Sequence, residues 1–178
     1  MERILGNMDR VRGLIRDVPD FPVKGIVFKD ITPVLKDPKA LGDIIDSFSR
    51  MYKRKKIDAV VGIESRGFII GAPLALSMGV PFVPIRKKGK LPYEKIRASY
   101  KLEYGEATIE IHTDALEKGQ RVVIVDDLLA TGGTTAASIE LVEKLGAEVV
   151  SCGFVIELGF LKGRDKLPKG KVESLITY

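Results

Sequence analysis

The sequence of 178 residues predicts one α/β domain. Its expected architecture is a Rossmann-like parallel sheet flanked by helices, with a small N-terminal hood and a β-hairpin flap. Three observations predict it. Short apolar runs at 58–63, 81–86, 121–126 and 148–156 suit strands buried on both faces. Segments of helical periodicity alternate with those runs, as crossover connections between parallel strands require. The pair at 99–112 alternates apolar and polar residues instead and turns at Tyr104-Gly105, which predicts a hairpin projecting from the sheet.

Residues 8–17 carry a helical pattern. Phe21 to Pro33 is too broken by Pro and Gly for a long helix or strand, so a loop is expected. Phe28, set between aliphatics, suits stacking on a flat ring, and free main-chain groups beside it suit the edge of a base. Equally, Phe21, Ile26 and Phe28 suit a plug joining the first helix to the core. Asp37-Pro38 is an N-cap and N1 pair for a helix to about residue 56, with Leu41, Ile44, Ile45, Phe48 and Met51 inward. A strand at 58–63 leads to a helix at 66–78 stopped by Gly79. Residues 67–85 lack charge and approach the length of a membrane span, but Pro73, Pro81, Pro84 and Gly79 interrupt them, so a buried helix and a short strand are expected. Strands at 99–104 and 107–112 precede one at 121–126. A helix at 134–145, stopped by Gly146, leads to strands at 148–156 and 172–176.

The stretch 121–135, Arg-Val-Val-Ile-Val-Asp-Asp-Leu-Leu-Ala-Thr-Gly-Gly-Thr-Thr, carries the clearest chemistry. Val122 to Val125 form a strand that Asp126 and Asp127 are expected to close. Ala130-Thr131-Gly132-Gly133-Thr134 then opens a helix. Paired glycines let the backbone approach a ligand closely, and N–H groups at a helix start cradle an anion. Carboxylates repel phosphate but accept hydrogen bonds from vicinal sugar hydroxyls. Both features together suit a ribose 5-phosphate at the C-terminal end of a strand, where α/β ligands bind. An ordinary Gly-rich turn would explain the glycines but not the two acids. A Walker A loop needs Lys after the second Gly, and a dinucleotide fingerprint needs Gly-x-Gly-x-x-Gly; neither is present.

Ser65-Arg66-Gly67 ends a second strand. Arg66 suits a pyrophosphate through bidentate hydrogen bonds, or else a simple pairing with Glu64. The net charge of +5 comes from separate clusters at 53–56, 86–90 and 162–171 without interleaved aromatics, which argues against nucleic acid. The clusters suit a solvated basic surface, or else the middle one, holding Arg86, Lys87 and Lys90, meets a polyanionic small ligand. His112 is a lone histidine, so no Ser/His/Asp triad or His-rich metal site can be assembled. Cys152 is a lone cysteine in an apolar run, which fits a reducing cytoplasm, and the N-terminus does not read as a signal peptide.

The acids and loop of 122–134 resemble the PRPP motif of type I phosphoribosyltransferases. Phe21-Pro-x-x-Gly-Ile-Val-Phe-Lys-Asp-Ile-Thr-Pro33, Gly62-Ile-Glu-Ser-Arg-Gly-Phe68, Ile85-Arg-Lys-Lys-Gly-Lys-Leu-Pro92 and Tyr100-Lys-Leu-Glu-Tyr-Gly105 resemble adenine phosphoribosyltransferases in order and spacing. The resemblance implies transfer of phosphoribose from PRPP to adenine, giving AMP and pyrophosphate in purine salvage, with Mg2+ and a homodimer. It implies that Val27 and Lys29 meet adenine through main-chain groups and that Phe28 stacks on it. Ser65, Arg66, Lys87 and Lys90 would lie at pyrophosphate, and Asp126, Asp127, Ala130, Thr131, Gly132, Gly133 and Thr134 at phosphoribose. Glu103 and Tyr104 would sit on a flexible flap of about 87–106, with Glu103 and Arg66 catalytic, and the hood would span about 1–35. Magnesium would be held by PRPP and water, with no direct protein ligand. Another 6-substituted purine, or a PRPP-sensing regulator, is the alternative.

Overall fold

The computed structural model describes residues 8–21, 23–101 and 105–178. Among these, a seven-stranded sheet runs β5-β6-β4-β3-β7-β8-β9. Its strands are β3 (Ala59–Ile63), β4 (Phe82–Lys87), β5 (Lys95–Lys101), β6 (Glu106–His112), β7 (Arg121–Leu129), β8 (Glu148–Glu157) and β9 (Val172–Thr177). From β4 to β9 every neighbouring pair is parallel, whereas β6 runs antiparallel to β4 and to β5. The sheet is therefore mixed, with the expected hairpin as its edge. Only Arg86 and Lys87 of β4 pair with β6, opposite Glu110 and Ile109, so the hairpin peels away from the sheet beyond that point.

Helices α1 (Met8–Leu14), α3 (Pro38–Tyr52) and α4 (Arg66–Met78) cover one face, around Ile44, Phe48, Ile70 and Leu74. Helix α5 (Gly133–Lys144) and the hairpin cover the other, around Ile124, Leu141, Ala98 and Ile109. Burial on both faces explains why β3, β7 and β8 read as continuous apolar runs. Asp37 caps α3 by accepting the N–H groups of Lys39 at 2.9 Å and Ala40 at 3.0 Å. Gly79, at φ +68, stops α4.

Several expectations change, among them the start of β5, which begins at Lys95 rather than 99. Helix α1 ends at Leu14, and β1 (Arg16–Pro19) pairs antiparallel with β2 (Val27–Asp30). The stretch expected as a loop thus holds a strand and the short helix α2 (Thr32–Lys36). Pro19 disfavours helix at Val18, and four-residue strands are too short to show a period. Helix α3 stops at Tyr52 rather than 56. Strand β7 does not close at the acids but runs on to Leu129, because β8 continues to pair with it up to Leu129 opposite Glu157.

Candidate active site

Strands β4, β3 and β7 lie side by side and parallel, so the segments leaving them meet at one edge of the sheet. The connection leaving β3 leads through α4 to β4 on one side, and that leaving β7 leads through α5 to β8 on the other, so a crevice opens between β3 and β7, where α/β ligands bind. The loop after β7 turns at Gly132, whose φ of +78 suits glycine; a Cβ there would strike the Gly163 carbonyl. Helix α5 starts at Gly133, and Gly132 supplies no side chain to cap it. Its first N–H groups have no helical acceptor and face a cleft lined by Asp126, Ala130, Thr131, Gly132, Gly133 and Thr134. Free N–H groups at a helix start suit an anion, and threonine hydroxyls are at hand.

Alternation along β7 separates the two acids. Asp127 turns toward α4, is buried, and accepts a hydrogen bond from Arg66 Nε. Asp126, half-buried, lines the cleft and accepts the Asp127 N–H at 2.9 Å. Burial, with the Asp127 charge added, pushes the Asp126 carboxyl well above the usual carboxylate range. Burial opposes the charge of Arg66, but Asp127, Asp126 and Asp30 outweigh it and hold the guanidinium protonated more firmly than usual. Arg66 opens α4 directly after Ser65, which is exposed. Gly67 lets α4 lie against β7: a Cβ there would come within 2.6 Å of the Val125 carbonyl oxygen.

Glu64 does not pair with Arg66. Its carboxylate instead accepts Lys90 Nζ, the Lys87 N–H at 3.0 Å and Arg86 Nε at 3.3 Å. Burial works against its charge, but these donors hold the Glu64 carboxyl below its ordinary value. Glu110, buried on β6, accepts the Gly89 N–H at 3.0 Å and Arg97 Nε at 2.7 Å. Two carboxylates thus pin the basic turn 86–90 at the site edge, leaving the Lys87 side chain exposed. Sequence reading gave neither acid this role, since their partners lie at least 13 residues away with no local spacing to mark them.

The hood reaches the same place. Phe28 is half-buried, edge-on to Phe21 at 5.3 Å, with the Arg66 guanidinium carbon 6.0 Å from its ring centre. Val27 is 46% exposed, open to a ligand. The Lys29 amine is occupied by Asp17 at 2.6 Å and the Tyr178 ring at 4.1 Å. The structure therefore gathers Phe28, Arg66, Asp126, Asp127 and the 130–134 loop. Glu103 and Tyr104 lie outside the described residues.

The phosphoribosyl transferase domain family matches residues 32–175. The chain is 57% identical to the adenine phosphoribosyltransferase of Geotalea uraniireducens over 171 residues, 96% of this chain and 100% of that one. The crystal structure of adenine phosphoribosyltransferase from Thermoanaerobacter pseudethanolicus superposes with a TM-score of 0.93 at 53% identity, covering 97% and 100% of the two chains. The Saccharomyces cerevisiae adenine phosphoribosyltransferase, solved with adenine and an imino-altritol bisphosphate, matches with a TM-score of 0.91 at 43% identity over 98% and 99%.

Proposed function

The chain belongs to the adenine phosphoribosyltransferase family, and on that premise we propose how its residues transfer the phosphoribosyl group of PRPP to adenine, releasing AMP and pyrophosphate. The observation that supports this reading most is the convergence of an aromatic hood, an arginine and an anion cradle at one sheet edge.

The N–H groups of 131–134 and the hydroxyls of Thr131 and Thr134 hold the 5-phosphate. Asp126 accepts a ribose hydroxyl. Asp127 joins it when pyrophosphate, with two bidentate oxygens to offer, draws Arg66 out of its ion pair. Ser65, Lys87 and Lys90 supply further donors to the leaving group. The chemistry breaks a C1–O bond as positive charge grows on the ribose, so positioning and electrostatics supply most of the acceleration.

Adenine stacks on Phe28. Pro19 faces Val27 across the hairpin and has no N–H to give. Paired residues alternate in an antiparallel ladder, so the main-chain groups of Val27 and Lys29 turn away from β1, free for the edge of a base. Glu103 orients or receives the proton at adenine N9, and Tyr104 closes with it over the centre, on a flap of about 87–106 that excludes water.

Magnesium fits this site as a partner of PRPP. Asp126, its carboxyl pushed up beside Asp127, is relieved by a nearby cation. When bound, it would neutralise charge on the departing pyrophosphate.

A homodimer is supported by α4, where Ile69 and Leu76 stand 43% and 84% exposed on one apolar face. Arg86 or Lys87 then acts in its own subunit or its neighbour's. A cytoplasmic setting is supported by Cys152, the single cysteine of the chain, buried as a free thiol. No helix among the described residues is long and apolar enough to cross a membrane.

PRPP consumption measured with adenine, hypoxanthine, guanine and xanthine tests the reading. Turnover with adenine alone is expected. Preference for another base would move the assignment to that purine, and no turnover with any base would favour a PRPP-binding regulator.

A further inference from the structure

Behind the proposed phosphate cradle lies an ionic cluster, a buried carboxylate under an exposed guanidinium, to which the catalytic scheme assigns nothing. Glu157 ends β8 with 6% exposure. Its carboxylate accepts Arg164 Nε at 2.9 Å, Arg164 Nη2 at 2.6 Å and Ser174 Oγ at 2.6 Å. The third arm of the same guanidinium, Nη1, donates to the Val172 carbonyl at 2.9 Å. Arg164 is thereby tied at once to β8 and β9. A planar fork is suited to this, and a lysine could not reproduce it.

Arg164 sits on a single 3-10 turn, Gly163–Lys166. Gly163, its first residue, touches the back of the cradle. A Cβ on Gly163 would strike the Ala130 carbonyl, and one on Gly132 would strike the Gly163 carbonyl. Two glycines facing each other allow the two backbones to lie in direct contact. The Leu158 N–H also donates to the Leu129 carbonyl at 2.9 Å, joining the segments just upstream.

We infer that the Glu157–Arg164 fork is a positioning device for PRPP: it fixes the 163 backbone, which in turn sets where the 130–133 loop presents its N–H groups to the 5-phosphate. The inference rests on the reading of that loop as the phosphate cradle. A preset cradle matters because misplacing such donors by an ångström weakens every hydrogen bond to the phosphate. The fork itself touches no substrate, and the hood meets this segment through Tyr178, whose ring holds the Lys29 amine and whose N–H donates to the Glu157 main-chain carbonyl at 3.0 Å, not through the Glu157 carboxylate.

The test measures KM for PRPP, KM for adenine and calorimetric affinity for ribose 5-phosphate in a set of variants. Arg164→Ala and Gly163→Ala are each expected to raise KM for PRPP and weaken ribose 5-phosphate about tenfold, with adenine KM and kcat within about threefold. Arg164→Lys should recover part of the loss. If Arg164→Ala does not fold, Arg164→Lys decides, since it keeps a cation at Glu157 but loses the fork: a smaller rise in KM for PRPP with adenine KM unchanged is expected, and no rise overturns the role. Gly133→Val checks the underlying reading. If folded Gly133→Val keeps ribose 5-phosphate affinity, the loop is not the cradle. If Gly133→Val loses that affinity while the fork and Gly163 variants keep it, or if their PRPP and adenine KM rise together, the positioning role is overturned.

Discussion

Phe28 and Glu103 are the residues at which a functional role and a structural one make the most different predictions. Phe28 lies beside Phe21 and faces Arg66, so its ring is placed both to fill the hood and to meet a base. Stacking is worth ~1–3 kcal/mol per base, so Phe28→Ala should raise adenine KM some ~5- to 150-fold and PRPP KM much less. Equal rises, or loss of folding, would leave Phe28 as a plug. For Glu103 the expectation comes from the motif Leu102-Glu103-Tyr104-Gly105. Glu103→Gln keeps size and removes the proton acceptor, so kcat should fall ~10²–10⁴-fold with PRPP affinity unchanged. A kcat within a few-fold of the parent would leave the flap with positioning alone.

Among elements, the end of β8 offers a pH signature. Arg164 hydrogen bonds, aided by Ser174 and opposed by burial, hold the Glu157 carboxyl below its ordinary value. A carboxyl depressed by folding binds its proton more weakly in the folded chain than in the unfolded one. Its contribution to stability is therefore complete above the ordinary glutamate value of ~4.3 and is lost as pH falls through the lower, folded value. The stability gap between parent and Glu157→Gln, read from urea midpoints, should be constant above about pH 5 and shrink below about pH 4. A gap that did not change with pH would mean that the carboxylate charge is not what holds Arg164. This cluster was not legible in the sequence. Lys162 to Lys171 reads as one basic run, and nothing local marks Arg164 as the member that folds back onto an acid seven residues earlier. Strand β7 was legible only in part: Val122 to Val125 mark it, but its extension through two acids depends on β8 pairing beside it.

At the scale of the whole molecule, the exposed face of α4 calls for a partner. Ile69 and Leu76, two turns apart on one side of the helix, are the kind of apolar patch a second copy covers. Light scattering should give about twice the chain mass for the parent, and Leu76→Glu should shift it toward the monomer, because a buried unpaired carboxylate is costly. A parent that is monomeric at assay concentration would reject the homodimer. Loss of activity along with the mass would place Arg86 or Lys87 in the neighbouring site. Retained activity would keep them in their own.

The sequence alone determined the order of strands and helices from α3 to β9, the glycine turn that opens α5 and the family. Those depend on hydrophobic period, glycine freedom and helix-end N–H groups, all of which act within a few residues. Only the tertiary structure decided which charges meet. Arg66 passes over Glu64, two residues away, and binds Asp127, 61 residues on, because the β3–β7 register and the alternation along β7 bring that carboxylate beneath α4. Glu64, left free of Arg66, takes the basic turn instead. The two adjacent acids that looked alike in sequence are thereby given different work, since neighbouring side chains on a strand face opposite sides of the sheet.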